Sequence, residues 1–243
     1  MSPRVALFVT CIVDQLFPET GEAVLEIFEK QGIQIEFPLA QTCCGQPGFN
    51  SGYQTESRAV ARHFLDVFKS YDAIVTPSGS CAAMVRHFYP ELFAGQPDEA
   101  LANSVAHKTW EFTQYLVDEL HITSLGTGLP TPVTAAIHDA CHGLRGLGIC
   151  TQPRTLLANV SNLTLVPMTG SDQCCGFGGL FAVKMSEISG AMLKDKMLNI
   201  ESTSADFIIT GDASCLMHMN GGLSRLGSNK RVKHVAEVLA GHI

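Results

Sequence analysis

Residues 72–81 read DAIVTPSGSC, and residues 206–215 read DFIITGDASC. The two stretches share Asp, Ile, Thr, Ser and Cys in register, and each places a short apolar segment just before a turn and a cysteine. A Cys-Cys-Gly turn and one further cysteine lie upstream of each stretch, and the matching cysteines are offset by 130, 131, 131 and 134 residues. This self-similarity predicts an internal duplication. The first set contains Cys11, Cys43, Cys44 and Cys81, and the second contains Cys141, Cys174, Cys175 and Cys215.

Short apolar segments alternate with helical patterns in both copies. The predicted strands cover residues 5–10, 33–37, 72–76, 133–138, 163–166 and 207–210. The predicted helices cover residues 18–32, 55–70 and 109–120, and residues 230–243 are predicted to form a terminal strand and helix. The alternation is typical of an α/β fold and predicts two duplicated, Rossmann-like βαβαβ units with parallel sheets. We expect residues 1–90 to form the first unit, residues 91–132 a connecting helical segment, and residues 133–243 the second unit.

Composition excludes several classes of function. The chain has 243 residues, of which 46% are hydrophobic and 16% charged, as is typical of a globular protein with a substantial core. The net charge of −7 excludes a large basic surface, so nucleic acid is not an expected partner. No apolar run reaches the roughly 18 residues of a membrane span, and we expect a cytoplasmic protein without a transmembrane segment. No glycine motif for nicotinamide or nucleotide binding follows a strand.

The cysteine pattern predicts metal chemistry. Nine cysteines, an odd number, favour metal or redox chemistry in a reducing compartment over a disulfide framework. Eight of them follow predicted strands, and in a parallel sheet all strand carboxyl ends meet at one edge, so each quartet should converge in its own pocket. Four thiols can hold zinc, hold an iron–sulfur cluster, or form a redox dithiol. The pattern lacks the paired C-x-x-C knuckles of zinc sites, and adjacent cysteines suit neighbouring irons, which favours an iron–sulfur cluster.

Glycines follow both cysteine pairs, as Gly45 and Gly176. Glycine-rich turns that open helices offer backbone N–H groups to an anion such as a thiolate-bound cluster. Such glycines also occur simply because a turn requires a positive φ. Both interpretations stay open at this point.

The duplicated motifs resemble a known family. Residues 42–50 read TCCGQPGFN, residues 77–84 PSGSCAAM, residues 138–142 HDACH and residues 211–218 GDASCLMH. They are similar to the cysteine-rich domain found in heterodisulfide reductases and in the iron–sulfur subunits of glycolate oxidase, and most similar to the lactate utilization branch of that family. The resemblance covers nearly the whole chain. It implies an electron-transfer subunit of a cytosolic L-lactate oxidising complex that works with other subunits.

One departure from the family pattern affects the cofactor. The fuller motif ends in C-x-x-C, but Met84 and His218 stand at the last position here. The absent fifth cysteine argues against the unusual cluster of heterodisulfide reductase and against its disulfide chemistry. Four cysteines suffice for a conventional [4Fe-4S] or [2Fe-2S] centre, and a [4Fe-4S] cluster, up to one per copy, is the expected cofactor. A zinc-bound or metal-free structural module and a reductase of a disulfide or small molecule remain the alternatives.

Further residues near the second quartet are candidates for the site. His218 is a candidate fifth ligand or hydrogen-bond donor, whereas Met84 is a poorer ligand and packs well in cores. His138, His142 and Arg145 surround Cys141 in sequence and could offset cluster charge or bind an anion; such polar residues also often satisfy loop carbonyls. Cys150 has no counterpart in the first copy and is expected to be a buried core thiol.

Overall fold

The computed structural model describes residues 3–242 and contains two four-stranded sheets with all strands parallel. The strand order is β2-β1-β3-β4 in the first sheet and β6-β5-β7-β8 in the second, so both sheets have the same topology. The predicted α/β fold with two duplicated parallel-sheet units is therefore confirmed; the first unit has one strand more than the three predicted, and the terminal strand and helix predicted in residues 230–243 are present in the second. The strands are β1 Val5–Leu7, β2 Ile35–Glu36, β3 Ala73–Thr76, β4 Thr109–Glu111, β5 Gly128–His138, β6 Ser161–Leu165, β7 Phe207–Thr210 and β8 Val232–His234.

Helices connect consecutive strands, as parallel sheets require. In the first unit they are α1 Cys11–Leu16, α2 Pro18–Lys30, α3 Gln46–Asn50, α4 Gln54–Phe68, α5 Gly79–Ala83, α6 Tyr89–Leu92, α7 Glu99–His107 and α8 Phe112–Gln114. In the second unit they are α9 Thr151–Leu157, α10 Leu180–Lys184, α11 Ser186–Ser202, α12 Ala213–Leu226 and α13 Val235–Ala240. Wider π-helical turns cover Met84–Phe88, Tyr115–Glu119 and His142–Gly146.

The segment from residue 91 to residue 132 differs from its predicted role as a helical connector. Its predicted helix over 109–120 begins with strand β4, which pairs with β3 and completes the first sheet. The same segment also contains the start of β5 in the second sheet. The three residues of β4 run directly into α8, where Glu111 accepts hydrogen bonds from the first backbone N–H groups. A strand this short, continuous with a helix, has no period-2 pattern of its own.

The two units share one hydrophobic core. Phe28 of α2 packs edge-on against Phe112, and this cluster continues through both sheets to Leu239 of α13. The Thr20 hydroxyl of α2 donates to the Glu237 carboxylate of α13 at 2.6 Å, which joins the units on the same side. Two smaller clusters cover the outer faces, one in each unit. The shared core fixes how one sheet lies relative to the other, and therefore where their carboxyl ends meet.

Candidate metal centre

All eight repeated cysteines line a single cavity at the carboxyl ends of both sheets. The sequence predicts a separate pocket for each quartet, and the structure instead brings both quartets to one cavity of about 850 Å³, open mouth included. Contacts between the units explain this arrangement. A Cβ added at Gly79 would lie 3.0 Å from the Gly143 Cα, and Ser78 forms an isolated β-bridge with Asp212. The turns that carry the two quartets are therefore packed directly against each other.

The first quartet forms two close sulfur pairs. Cys11 Sγ lies 3.7 Å from Cys43 Sγ, and Cys44 Sγ lies 3.5 Å from Cys81 Sγ. Cys11 begins α1 soon after β1 ends, and Cys81 lies in α5 soon after β3 ends, so the strands position both thiols. The Gly45 N–H donates to Cys43 Sγ at 3.4 Å. All four are free thiols.

The second quartet has a similar geometry. Cys175 Sγ lies 3.3 Å from Cys215 Sγ, and the Gly176 N–H donates to Cys174 Sγ at 3.4 Å. Cys141 follows β5, and its thiol is hydrogen-bonded to Cys174 as the thiol of Cys11 is to Cys43. Cys175 and Cys215 are buried, like Cys44 and Cys81 in the first quartet.

One thiol in each quartet has a strongly lowered pKa. A hydrogen bond from Cys11, supported by the Gly45 N–H, lowers the pKa of Cys43 to about 2. Hydrogen bonding to neighbouring sulfurs and burial raise the pKa of Cys11 and of Cys44, and Cys44 donates to Cys81. A deprotonated thiol is the form that binds metal.

The second quartet has the same arrangement of proton donors and acceptors. A hydrogen bond from Cys141, supported by the Gly176 N–H, lowers the pKa of Cys174 to about 2. Donation from Cys175 lowers the pKa of Cys215 to about 7 despite its burial. The second quartet therefore has two thiols with a low pKa.

The glycines after the cysteine pairs fit both interpretations, as turn residues and as donors to the site. Gly45 has a φ of +82° and Gly176 a φ of +92°, a region that favours glycine, and each donates its N–H to a cysteine sulfur. Gly176 is also tightly enclosed, since an added Cβ would lie 2.8 Å from the Ser189 carbonyl oxygen. At each glycine the positive φ of the turn and the N–H donation to sulfur therefore occur together.

A buried carboxylate between the quartets was missed by the sequence analysis. Asp212 lines the cavity, and its Oδ2 accepts from the Ser80 N–H at 2.9 Å and from the Ser78 hydroxyl at 3.1 Å. Burial acts to raise the pKa of Asp212, but hydrogen bonds from Ser214 and Ser80 outweigh it and keep the pKa low. Asp212 and Ser78 each lie three residues before a cysteine that opens a helix, and this N-cap position is a sequence signal that identifies them.

The three predicted histidines occupy different positions. His142 lines the cavity, with its Nδ1 at 3.9 Å from Cys141 Sγ. His138 is buried, and one ring nitrogen lies within 4.8 Å of the sulfurs of Cys175 and Cys215. His218 packs its ring against Phe177, and its buried Nε2 has no hydrogen-bond partner within residues 3–242.

Other candidates lie away from the sulfurs. Arg145 is exposed and donates to the Asp172 carbonyl at 3.2 Å, and it is not among the residues that line the cavity. Met84 is fully buried in an apolar cluster. Cys150 is not a core thiol as expected, because it is only half-buried and its sulfur accepts from Arg154 at 3.4 Å. Cys150 immediately precedes α9, and its thiol contacts the Arg154 guanidinium.

A buried amine near the second quartet was also missed. Lys196 of α11 is 1% exposed and donates from Nζ to the Gly170 carbonyl at 2.6 Å. Burial lowers its pKa, and the charges of Cys175 and Cys215 act in the opposite direction. A lysine in the middle of a helical pattern gives no sequence signal that separates it from an exposed one.

The donor set fits a metal or metal cluster. The four thiols in each quartet are free, three of the sulfur pairs are 3.3–3.7 Å apart, and each set includes a thiol with a pKa lowered to about 2. These separations are well beyond the roughly 2.05 Å of a disulfide bond. The residues that would hold the group are the eight repeated cysteines.

Comparison with known proteins agrees with this geometry. The CCG cysteine-rich domain model matches residues 5–86 and 135–220, one match per unit. Lactate utilization protein A of Geobacillus kaustophilus (strain HTA426) is 46% identical over 237 residues, which cover 97% of this chain and 98% of that protein. This chain belongs to the lactate utilization protein A family. The family member from Exiguobacterium sp. (strain ATCC BAA-1283 / AT1b) is 46% identical over 240 residues, covering 98% of this chain and 97% of that protein.

Structural comparison supports the fold alone. A hypothetical protein from Helicobacter pylori superposes on this lactate utilization A family member with a TM-score of 0.59 at 13% identity. The match covers 98% of this chain and 48% of that chain. Within residues 3–242, none of the helices is long and apolar enough to cross a membrane.

Proposed function

We propose that this chain is an iron–sulfur protein that passes electrons during lactate utilization. The observation that carries the proposal is the convergence of two cysteine quartets on one cavity, each with a thiol of strongly lowered pKa and an N–H donor to sulfur. Iron–sulfur clusters are held by four thiolates, and hydrogen bonds to sulfur tune their potential. The relatives named lactate utilization protein A supply the metabolic context.

The cofactor we infer is a [4Fe-4S] cluster, up to one per quartet. Each quartet supplies the four thiolates that such a cluster requires. Met84 lies in an apolar cluster and is not assigned as a ligand. His218 is assigned as a hydrogen-bond donor or fifth ligand of the second site, because its buried Nε2 lacks a partner within the described residues.

The role we infer is electron transfer within a lactate-oxidising complex in the cytoplasm. A cluster moves single electrons, whereas lactate oxidation removes a hydride equivalent, so another subunit must accept it first. Nine free thiols suit a reducing compartment. The two quartets share a cavity, and electrons could pass from one site to the other without crossing the protein core.

Anaerobic purification with iron, sulfide and zinc analysis tests the cofactor. We expect iron and sulfide in equal amounts and little zinc; zinc without sulfide would favour a structural metal module instead. The chain alone should oxidise lactate negligibly with an artificial acceptor, and reduction of its iron centres should require the remaining subunits. Robust turnover by the isolated chain would contradict the electron-transfer role.

A second candidate is direct reduction of a disulfide or small molecule in the shared cavity. The observation that favours it is that both quartets face one open space, which His142 also lines. Reducing a disulfide to two thiols takes two electrons and two protons, and two sites could each supply one electron. Thiol release from a small disulfide by the chemically reduced chain would support this candidate, and no release above the metal-free protein would remove it.

A further inference from the structure

His138 is a buried imidazole without a polar partner. It ends strand β5, is 1% exposed, and neither ring nitrogen has a hydrogen-bond partner within the described residues. Its neighbour in the sheet register, Thr210, also has a buried hydroxyl without a partner. Buried polar groups in native proteins are almost always satisfied, and an exception often indicates an ion or other group at the site.

The atoms nearest to this imidazole that can bind a metal are sulfurs. One ring nitrogen of His138, Cys175 Sγ and Cys215 Sγ all lie within 4.8 Å of one another. The two sulfurs are 3.3 Å apart, close to the roughly 3.8 Å expected for two thiolates at about 2.3 Å from one tetrahedral metal. One nitrogen and two sulfurs at these separations are a typical set of ligands for zinc or iron.

The first copy shows that the fold does not require an imidazole here. Phe8 occupies the matching position, three residues before the first cysteine of its quartet. Its ring packs against Phe64 at 4.9 Å and Phe68 at 5.7 Å between centroids. A buried threonine hydroxyl without a partner among the described residues occurs in both copies, at Thr76 and at Thr210, so only the imidazole distinguishes the second copy. The second copy therefore has a polar ring, His138, at the position where the first copy has a phenylalanine packed against aromatic rings.

We propose that His138 is a direct metal ligand of the second site, acting with Cys175 and Cys215. A neutral imidazole in the ligand set makes this site less negative than the all-cysteine first site. His138 also borders a small second cavity that Glu111 and Thr113 line, so its other ring nitrogen has polar groups within the same space. Metal-bound histidines typically donate their second N–H to such a carboxylate or to a water. The inference rests on the proposed function only in requiring that the second quartet binds a metal; with a [4Fe-4S] cluster held by the four cysteines, His138 would be an additional ligand.

Cobalt(II) binding tests the ligand set without requiring a cluster. The reduced, metal-free full chain carrying Cys44→Ser, which disables the first site, is titrated with Co²⁺ and compared with the same chain carrying His138→Phe. We expect His138→Phe to weaken Co²⁺ binding about tenfold or more and to shift the visible bands toward those of an all-sulfur site. His107→Phe, which changes an exposed histidine of α7 that does not line the cavity, is the control and should leave the bands at the same wavelengths. His138→Gln, checked for native circular dichroism, covers the case in which the Phe variant does not fold.

Pulsed electron paramagnetic resonance on the anaerobically reconstituted chain gives a second readout. A nitrogen bound directly to the reduced centre should give a strong ¹⁴N coupling that His138→Phe removes and His107→Phe keeps. Equal Co²⁺ affinity and spectra in the parent and His138→Phe would overturn the ligand assignment. Failure to bind iron and sulfide, with a Co²⁺ site that still depends on His138, would instead overturn the iron–sulfur proposal and leave the ligand assignment standing.

Discussion

The first and second quartets hold similar sulfur geometries in very different surroundings. Beside the first lie Phe8 and Met84, both in an apolar cluster. Beside the second lie His138, His218 and the buried amine of Lys196. The duplication has therefore kept the four cysteines and changed the residues around them. Hydrogen bonds and nearby charges adjust the reduction potential of a metal centre beyond the value set by its ligands. We therefore expect the second site to have the higher reduction potential.

The largest effect should come from removing one buried sulfur at a time. Cys44→Ser and Cys175→Ser should each abolish one metal centre and lower the bound iron by about half, since a cluster needs all four thiolates. In a redox titration, Cys175→Ser should remove the signal reduced first and Cys44→Ser the signal reduced last. Loss of the same signal in both variants would mean that the quartets do not form separate centres. Cys150→Ser, outside both quartets, is the matched control.

The helix caps after the fourth strands should respond oppositely to pH. Glu111 and His234 occupy equivalent positions, and each accepts a backbone N–H at the start of a helix. Burial raises the pKa of Glu111 from 4.5 to about 7 and lowers that of His234 from 6.5 to about 4. Glu111 therefore costs stability as pH rises from 4.5 to 7, and His234 as pH falls from 6.5 to 4, each by about 3 kcal/mol at most.

Glu111→Gln and His234→Asn test this pair, because each keeps a cap acceptor and removes the titration. Urea unfolding of the reduced, metal-free chain should show wild type losing stability relative to Glu111→Gln between pH 4.5 and 7. It should lose stability relative to His234→Asn between pH 6.5 and 4. Parallel pH profiles for wild type and both variants would show that folding does not shift the pKa of either group.

The two turn glycines should differ in their tolerance of a side chain. Gly176→Ala would place a Cβ 2.8 Å from the Ser189 carbonyl, whereas at Gly45 the nearest atoms are 3.5 Å or more away. Both substitutions incur the cost of a positive φ, about 1–2 kcal/mol, and only Gly176→Ala adds a backbone clash. We expect Gly176→Ala to lower the free energy of unfolding by about 2 kcal/mol more than Gly45→Ala in urea denaturation. Equal losses would show that the Gly176 turn can relax.

The convergence of each quartet follows from the sequence, but the shared cavity does not. Cys11 and Cys81 come just after strands of one parallel sheet. Because the carboxyl ends of parallel strands lie at one edge, the two cysteines are predicted to be close without any knowledge of side-chain packing. The meeting of the two sheet edges depends on a core built from distant residues, such as Phe28 against Phe112. No local pattern encodes such a contact. Arg145 shows the same limit, because a flexible side chain in a turn binds whichever carbonyl the loop presents.

Helix-capping preferences in the sequence could have predicted site residues in addition to the cysteines. Asp212 lies three residues before Cys215 at a helix start, where an acidic side chain is a typical N-cap. The N-cap preference predicts the role of Asp212, and the duplication identifies Ser78 as its counterpart. Neither predicts the 3.1 Å hydrogen bond between these two side chains, which joins one unit to the other.

The smallest expected effect concerns His218, which stands where the first copy has Met84. Burial lowers the pKa of His218, so at neutral pH it acts on the second site as a neutral hydrogen-bond donor and not as a charge. A hydrogen bond of about 1 kcal/mol corresponds to about 40 mV for one electron. His218→Met should therefore lower the second-site potential by about that amount and leave the first unchanged, as measured by redox titration of the reconstituted chain. Met84→Leu, a swap within an apolar cluster, should move neither potential. If His218→Met also moves neither, this histidine does not contribute to the difference between the sites, and the asymmetry must come from His138 and Lys196.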